Sequence, residues 1–321
     1  MESVPADQGL PPLEPGSAVR DDRSLPSEGL PMPRLLRIPL VLLALLGALV
    51  VTACSPASTS VAPSASAPPT ASAVPPTDEL IEVAPGRSLA VTCNGSGSPT
   101  VIFLHGGIQP QDGVEWAHAP KIRALVEPTT RYCEYERTNV GRSSAASGPI
   151  PVTETVADLD AVITGVGIDE PVVLLAASFG GLVGYTYAGT HPEKVAGVVL
   201  LDPTLPDELA LGRQYLDEAD RLTPDAWQDS KEKIDSYGAF AVAQRALPSI
   251  PRVPGTIFVT EELWAPDGEH AEAFSQGVRA QQADLIQRFS PARTITVDAP
   301  HAMTPVIPDQ IADAVLEIVR S

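Results

Sequence analysis

Val172-Val173-Leu174-Leu175-Ala176-Ala177-Ser178-Phe179-Gly180-Gly181-Leu182 is an apolar run that stops at a serine and passes at once into a helix-like segment. A short continuous apolar stretch of this kind reads as a strand buried on both faces. A serine between such a strand and a helix occupies a sharp, strained turn, the nucleophile elbow, which lifts its hydroxyl clear of the sheet. The turn crowds the positions two before and two after the serine, so only small side chains fit there. Gly180 meets that demand, and Ala176 departs from glycine by one methyl group.

The segments on either side of the elbow alternate between strand and helix patterns. Strands are expected over Leu89–Cys93, Thr100–Leu104, Arg131–Tyr135, Val195–Leu201, Thr256–Thr260 and Arg293–Val297. Helices are expected over Ala119–Val126, Thr153–Val166, Ser178–Gly189, about Glu269–Arg288 and Pro308–Arg320. The second presents an apolar face at Val156, Leu159, Val162 and Ile163, and the last at Ile311, Val315, Ile318 and Val319. Alternation of this kind predicts an α/β fold, a mostly parallel sheet with helices on both faces. Pro203–Pro248 breaks the rhythm with polar helical segments and reads as an insertion over the carboxyl edge of the sheet. Tyr215, Trp227, Tyr237 and Phe240 give this insertion the character of a small helical lid over an apolar pocket.

A serine hydroxyl is a weak nucleophile until a neighbouring base takes its proton. Of the five histidines, His301 is the candidate base, because Asp298-Ala299-Pro300-His301 follows the last strand, where a loop can lean over the elbow. His105, His118, His191 and His270 read as structural. The negative oxygen formed on an attacked carbonyl requires preorganised donors. His105-Gly106-Gly107-Ile108 offers the first, with Gly107 N–H preferred and Gly106 or Ile108 as alternatives. The amide of Phe179, at the start of the elbow helix, offers the second and is favoured by the helix dipole. The cysteines and scattered histidines lack any ligand spacing of the zinc type, and there is no glycine-rich phosphate loop, so neither metal nor cofactor is expected.

From about Leu89 to Arg320 the chain resembles the α/β-hydrolase family, in particular its secreted actinobacterial members. The resemblance rests on the strand ending in His105-Gly106-Gly107, on Tyr135-Glu136-Arg137-Thr138-Asn139-Val140-Gly141-Arg142-Ser143, on the elbow, and on the late His301 followed by Pro308-Asp309. It implies a serine hydrolase acting on a small-molecule carboxylic ester, with Ser178 as nucleophile, His301 as base and an acid that orients the imidazole. The family's usual acid position falls in Glu261-Glu262-Leu263-Trp264-Ala265-Pro266-Asp267, without the common Gly-x-x-Asp pattern. The family's other solution places the acid one strand earlier, at Asp202, so Asp202, Asp267 and Glu262 all remain candidates. The resemblance also places the strands carrying Cys93 and Cys133 side by side, where a disulfide can join them. An aminopeptidase or a cofactor-free perhydrolase would use the same residues, and a binding lipoprotein could keep the fold without the chemistry.

The amino-terminal third has another character. Residues 1–33 are rich in Pro, Ser and acidic groups without apolar periodicity and are expected to be disordered. Arg34-Leu35-Leu36-Arg37, the uncharged run Ile38–Ala53 and Val51-Thr52-Ala53-Cys54 together read as a secretion signal over 34–53 ending in a lipobox-like site. Cys54 is then the lipidated first residue of the mature protein, and the Ser/Ala/Pro-rich stretch 54–77 is a tether. An uncleaved signal anchor is the alternative, and Met32 is a second candidate start. The expected location is the outer face of the cell membrane, where Cys93 and Cys133 would meet oxidising conditions that favour a disulfide. The formal net charge of −19 makes nucleic acid an improbable partner. Residues 78–321 are long enough for one large α/β domain.

Overall fold

The computed structural model describes residues 77–218, 221–223, 225, 228, 230–263 and 270–321. The extension read as disordered, the segment read as a signal, Met32, Cys54, almost all of the stretch read as a tether, and Trp227 of the insertion lie outside these residues. Among the described residues, no helix is long and apolar enough to cross a membrane.

The chain begins with an antiparallel hairpin, β1 (Thr77–Ala84) and β2 (Arg87–Asn94), turned at Gly86, whose φ of 73° suits a residue without a Cβ. There follow β3 (Val101–Leu104), α1 (Pro120–Val126), β4 (Tyr132–Tyr135), α2 (Val152–Gly165), β5 (Val172–Ala177), α3 (Phe179–Thr190) and β6 (Val195–Leu201). The insertion carries α4 (Glu208–Tyr215) and α5 (Ser236–Ala246). The chain then runs through β7 (Gly255–Thr260), α6 (Ala271–Ile286), β8 (Ala292–Val297) and α7 (Pro308–Val319). The strands form one sheet in the order β1-β2-β4-β3-β5-β6-β7-β8, parallel from β4 to β8 and antiparallel at the β1–β2 and β2–β4 pairings.

Side chains of a strand point alternately to its two faces, and here both faces are covered. Ile102, Leu104, Leu174, Ala176, Val198 and Leu200 pack in one core with Leu159, Val162 and Ile163 of α2 and Leu182 and Val183 of α3. Val101, Phe103, Val173, Leu175, Val199 and Leu201 pack in a second core with Ile122 and Val126 of α1 and Ile311, Val315 and Ile318 of α7. The apolar runs in the sequence are continuous because each strand feeds two cores at once. α3 is buried almost all round, since α5 covers its outer side with Ala239, Phe240 and Ala243. Of the stretch read as a lid, α5 therefore belongs to the main core. α4 instead packs on α6 through Leu211, Leu216 and Phe274 and borders the open cavity.

Cys93 and Cys133 are directly opposite partners on β2 and β4 and are joined by a disulfide. The bridge closes a loop spanning 40 positions and fastens the antiparallel end of the sheet, a contribution of about 2–4 kcal/mol. β1 is the element that the sequence reading omits. It is an edge strand in which Ile81 is buried while Leu80 is 60% exposed, so its apolar pattern is too weak to register as a strand.

Candidate active site

Ser178 follows β5 with φ 49° and ψ −120°, a conformation unfavourable for a residue with a Cβ. Hydrogen bonds from both sides hold it there. Its N–H donates to Leu201 O at the end of β6 (3.0 Å), and its carbonyl accepts from Gly181 N–H (2.8 Å) and Thr204 N–H (3.0 Å). The serine stands at the helix N-cap, yet its hydroxyl makes no capping bond and instead faces the cavities. A Cβ at Gly180 would overlap the carbonyl oxygens of Leu104 and His105, so this first turn of α3 can approach the end of β3 only with glycine. The extra methyl of Ala176 is accommodated across the layer. It lies 3.2 Å from where a Cβ on Gly184 would stand.

Asp202 leaves the end of β6 with φ 39°, its N–H donating to Phe258 O (2.9 Å), and turns its carboxylate toward the loop after β8. The Nδ1–H of His301 donates to Asp202 Oδ2 at 2.6 Å. The other oxygen, Oδ1, accepts from Nε2 of Gln282 at 3.1 Å. Gln282 lies on α6 and is 3% exposed. Asp202 is thus the carboxylate that the fold delivers to His301. Glu262 is exposed and lines neither of the cavities that Ser178 borders, and Asp267 lies outside the described residues. The hydrogen bond and charge of Asp202 hold the imidazole of His301 above its ordinary pKa, outweighing the opposing effect of burial, and Glu208 adds to the shift.

With Nδ1 engaged by Asp202, Nε2 is the nitrogen left to meet a substrate or a hydroxyl. Ser178 and His301 border two cavities. One, of about 780 Å³, runs beneath α4 and is lined by Leu205, Glu208, Leu209, Tyr237, Phe240 and Val278 among others. The other, of about 270 Å³, is lined by Phe103, Gly106, Gly107, Ile108, Trp116 and Met303. Partial withdrawal from solvent raises the carboxyl pKa of Glu208 in the larger one. Gly107 and Phe179 are neighbours, since a Cβ on Gly107 would stand 3.9 Å from Phe179 Cβ. Ile108, an alternative donor in the sequence reading, has its N–H committed to Glu232 Oε1 at 2.8 Å.

The remaining histidines have other partners. His105 is fully buried, its pKa depressed well below the ordinary value by burial and by the adjacent Arg137. His118 lies between Glu134 and Glu136, bonded at 3.0 and 3.3 Å, and is raised mainly by Glu134. His191 stacks on Tyr187, and His270 is exposed beside Tyr215. Among the described residues, no group of three or more His, Cys, Asp or Glu side chains is placed to hold a metal ion. Sequence reading does not single out Gln282 or Glu232. Neither belongs to a local motif, and only the topology brings them to the site.

A family model described as the alpha/beta hydrolase fold matches residues 99–237. The proline iminopeptidase of Neisseria gonorrhoeae is 35% identical over 143 residues, covering 42% of this chain and 42% of that protein. The chain therefore spans less than half the length of the proline iminopeptidases it matches. The esterase of Exiguobacterium antarcticum superposes with a TM-score of 0.53 at 17% identity, over 76% of this chain and 100% of that one. The enol-lactonase of Burkholderia xenovorans does so with a TM-score of 0.53 at 18% identity, over 75% and 100%. With the family-model match, those two likenesses establish that the chain has the α/β-hydrolase fold.

The electrostatics give a direct test. In an NMR titration of the imidazole signals, His301 should titrate above the ordinary histidine value of about 6.5, and D202N should bring its midpoint down. A His301 midpoint unchanged by D202N would contradict the assigned pairing.

Proposed function

We propose that the protein is a serine hydrolase that cleaves a carboxylic ester through an acyl-enzyme. The observation that carries this reading is the 2.6 Å bond from His301 to Asp202 beside the strained Ser178, all three bordering one cavity. Ser178 Oγ attacks the substrate carbonyl carbon as its proton passes to His301 Nε2. The carbonyl π pair moves onto oxygen, and the oxyanion is received by the amides of Gly107 and Phe179. Collapse of the tetrahedral species re-forms the carbonyl and breaks the bond to the leaving alcohol, which takes the proton from His301. Water then repeats the sequence on the acyl-enzyme, releasing the acid and restoring Ser178. Asp202 holds the tautomer and stabilises the imidazolium, and Gln282 orients Asp202. In this reading α4 is the lid, and the cavity beneath it takes the larger part of the substrate.

An aminopeptidase is the second reading. It is favoured by the likeness to proline iminopeptidases and by Glu208, a carboxylate in the same cavity that an amine-bearing substrate could neutralise. The lipobox-like sequence and the polar stretch behind it support a further part of the proposal, that lipidated Cys54 tethers the enzyme to the outer face of the cell membrane.

Two experiments test these statements. p-Nitrophenyl esters of increasing chain length and amino-acid p-nitroanilides, prolyl included, should be turned over, with esters preferred. Ser178→Ala should lose on the order of 10⁴-fold or more of kcat, because the three side chains act as a unit. Undiminished turnover in Ser178→Ala would reject the nucleophile, and no turnover of either class would favour a binding protein on a hydrolase fold. For the tether, cells expressing the full chain should incorporate an alkynyl palmitate into the protein, and Cys54→Ser should abolish it. Equal incorporation in the variant would reject Cys54 as the anchor.

A further inference from the structure

Arg137 and Glu232 form an ion pair whose side chains are 4% and 1% exposed. Arg137 Nε donates to Glu232 Oε2 at 2.6 Å and Nη2 to Oε1 at 3.0 Å, a two-pronged contact. Neither residue borders the cavities next to Ser178, and the acyl-transfer steps above use neither. A buried ion pair is a poor source of net stability, because desolvation of both charges offsets their attraction, so its presence calls for another reason.

The remaining donors of Arg137 supply one. Nη1 donates to His105 O at 2.7 Å and Nη2 to Gly106 O at 2.6 Å. In a trans peptide the C=O and the following N–H point in opposite directions. Holding the Gly106 carbonyl toward the buried guanidinium therefore turns the Gly107 N–H the other way, toward the cavity shared with Ser178. His105 reinforces the same carbonyl. Its Nε2 accepts from Arg137 N–H (3.4 Å), so the neutral ring carries its proton on Nδ1 and donates it to Gly106 O (2.7 Å). Glu232 fixes the far side of the loop by accepting Ile108 N–H, and Lys231 N–H donates to Ile108 O at 3.1 Å. The guanidinium also lies 5.5 Å from the centre of the Phe179 ring, so one group touches both residues that carry the oxyanion amides.

We infer that Arg137 and Glu232 are a positioning pair that aims the Gly107 and Phe179 amides at the developing oxyanion and fastens them to the inserted segment Pro203–Pro248. The inference rests on the serine-hydrolase reading. The planar fork is essential to it, since a lysine keeps the charge but its three N–H donors on a single nitrogen cannot reproduce the four bonds that Arg137 makes to two carbonyls and both carboxylate oxygens.

The test compares the full-length wild type with R137K, E232Q and the double variant R137M/E232L, which leaves no unpaired buried charge. Active sites are counted by the stoichiometry of fluorophosphonate labelling, carried to completion, and p-nitrophenyl butyrate is the substrate. In folded variants, kcat per labelled site should fall on the order of 10²-fold while KM moves less than about threefold, the pattern of a lost transition-state interaction. n-Butylboronic acid, whose serine adduct places an oxygen in the oxyanion position, should lose affinity by a comparable factor. The acid limb of the pH profile should stay in place, because His301 and Asp202 are untouched. A purely structural pair would lower the number of labelled sites without changing kcat per site, and R137K would keep most of the activity. Either result overturns the inference, as does failure of all three variants to fold. A wild type that neither labels nor turns over would reject the hydrolase reading itself, and the wild-type measurement alone reveals that case.

Discussion

The turn at Ser178 sets the terms for everything around it. A serine with φ 49° is unfavourable by about 1–3 kcal/mol, and it persists because its backbone is bonded to Leu201, Thr204 and Gly181. Those bonds require β6 to run alongside β5 in register and the chain after β6 to rise over the start of α3. The rise carries Asp202 to the carboxyl edge of the sheet, itself at a positive φ. The close approach of α3 to β3 admits only glycine at 180 and brings the His105-Gly106-Gly107 loop within reach of the serine. One strained peptide thus determines where the carboxylate and the glycine loop must lie.

Two charged systems border the elbow, and they differ in accessibility. Asp202 with His301 stands at an open cavity, where the ring can exchange protons with a substrate and with water. Arg137 with Glu232 is sealed beneath the glycine loop, with partners that are backbone carbonyls and an amide. Exposure suits a group that must change its protonation state, and burial suits groups that must hold one geometry. The insertion takes part in both, through α4 at the cavity and through Glu232 under the loop.

The central strands and the elbow are legible in the sequence because burial on two faces leaves continuous apolar runs and the turn demands small residues at fixed offsets. β1 is not legible, since an edge strand with one buried side chain has little apolar pattern to read. The carboxylate paired with His301 is legible only as a set of three candidates. A strand end followed by Asp is a common capping pattern, and the bond that distinguishes Asp202 joins residues 99 positions apart. Gln282 and Glu232 are beyond sequence reading for the same reason, because each reaches the site from a distant segment. The different packing of the two helices inside the insertion is not legible either. α5 has the polar-and-apolar pattern of a surface helix, yet it caps α3 and completes the main core.

The central claim is that Ser178 is an activated nucleophile. Its most direct test is reaction of the protein with a fluorophosphonate followed by peptide mapping of the adduct. The account predicts one label per chain on Ser178, formed far more slowly in a His301→Ala variant. A folded protein that takes no label, or takes it on another residue, would contradict it.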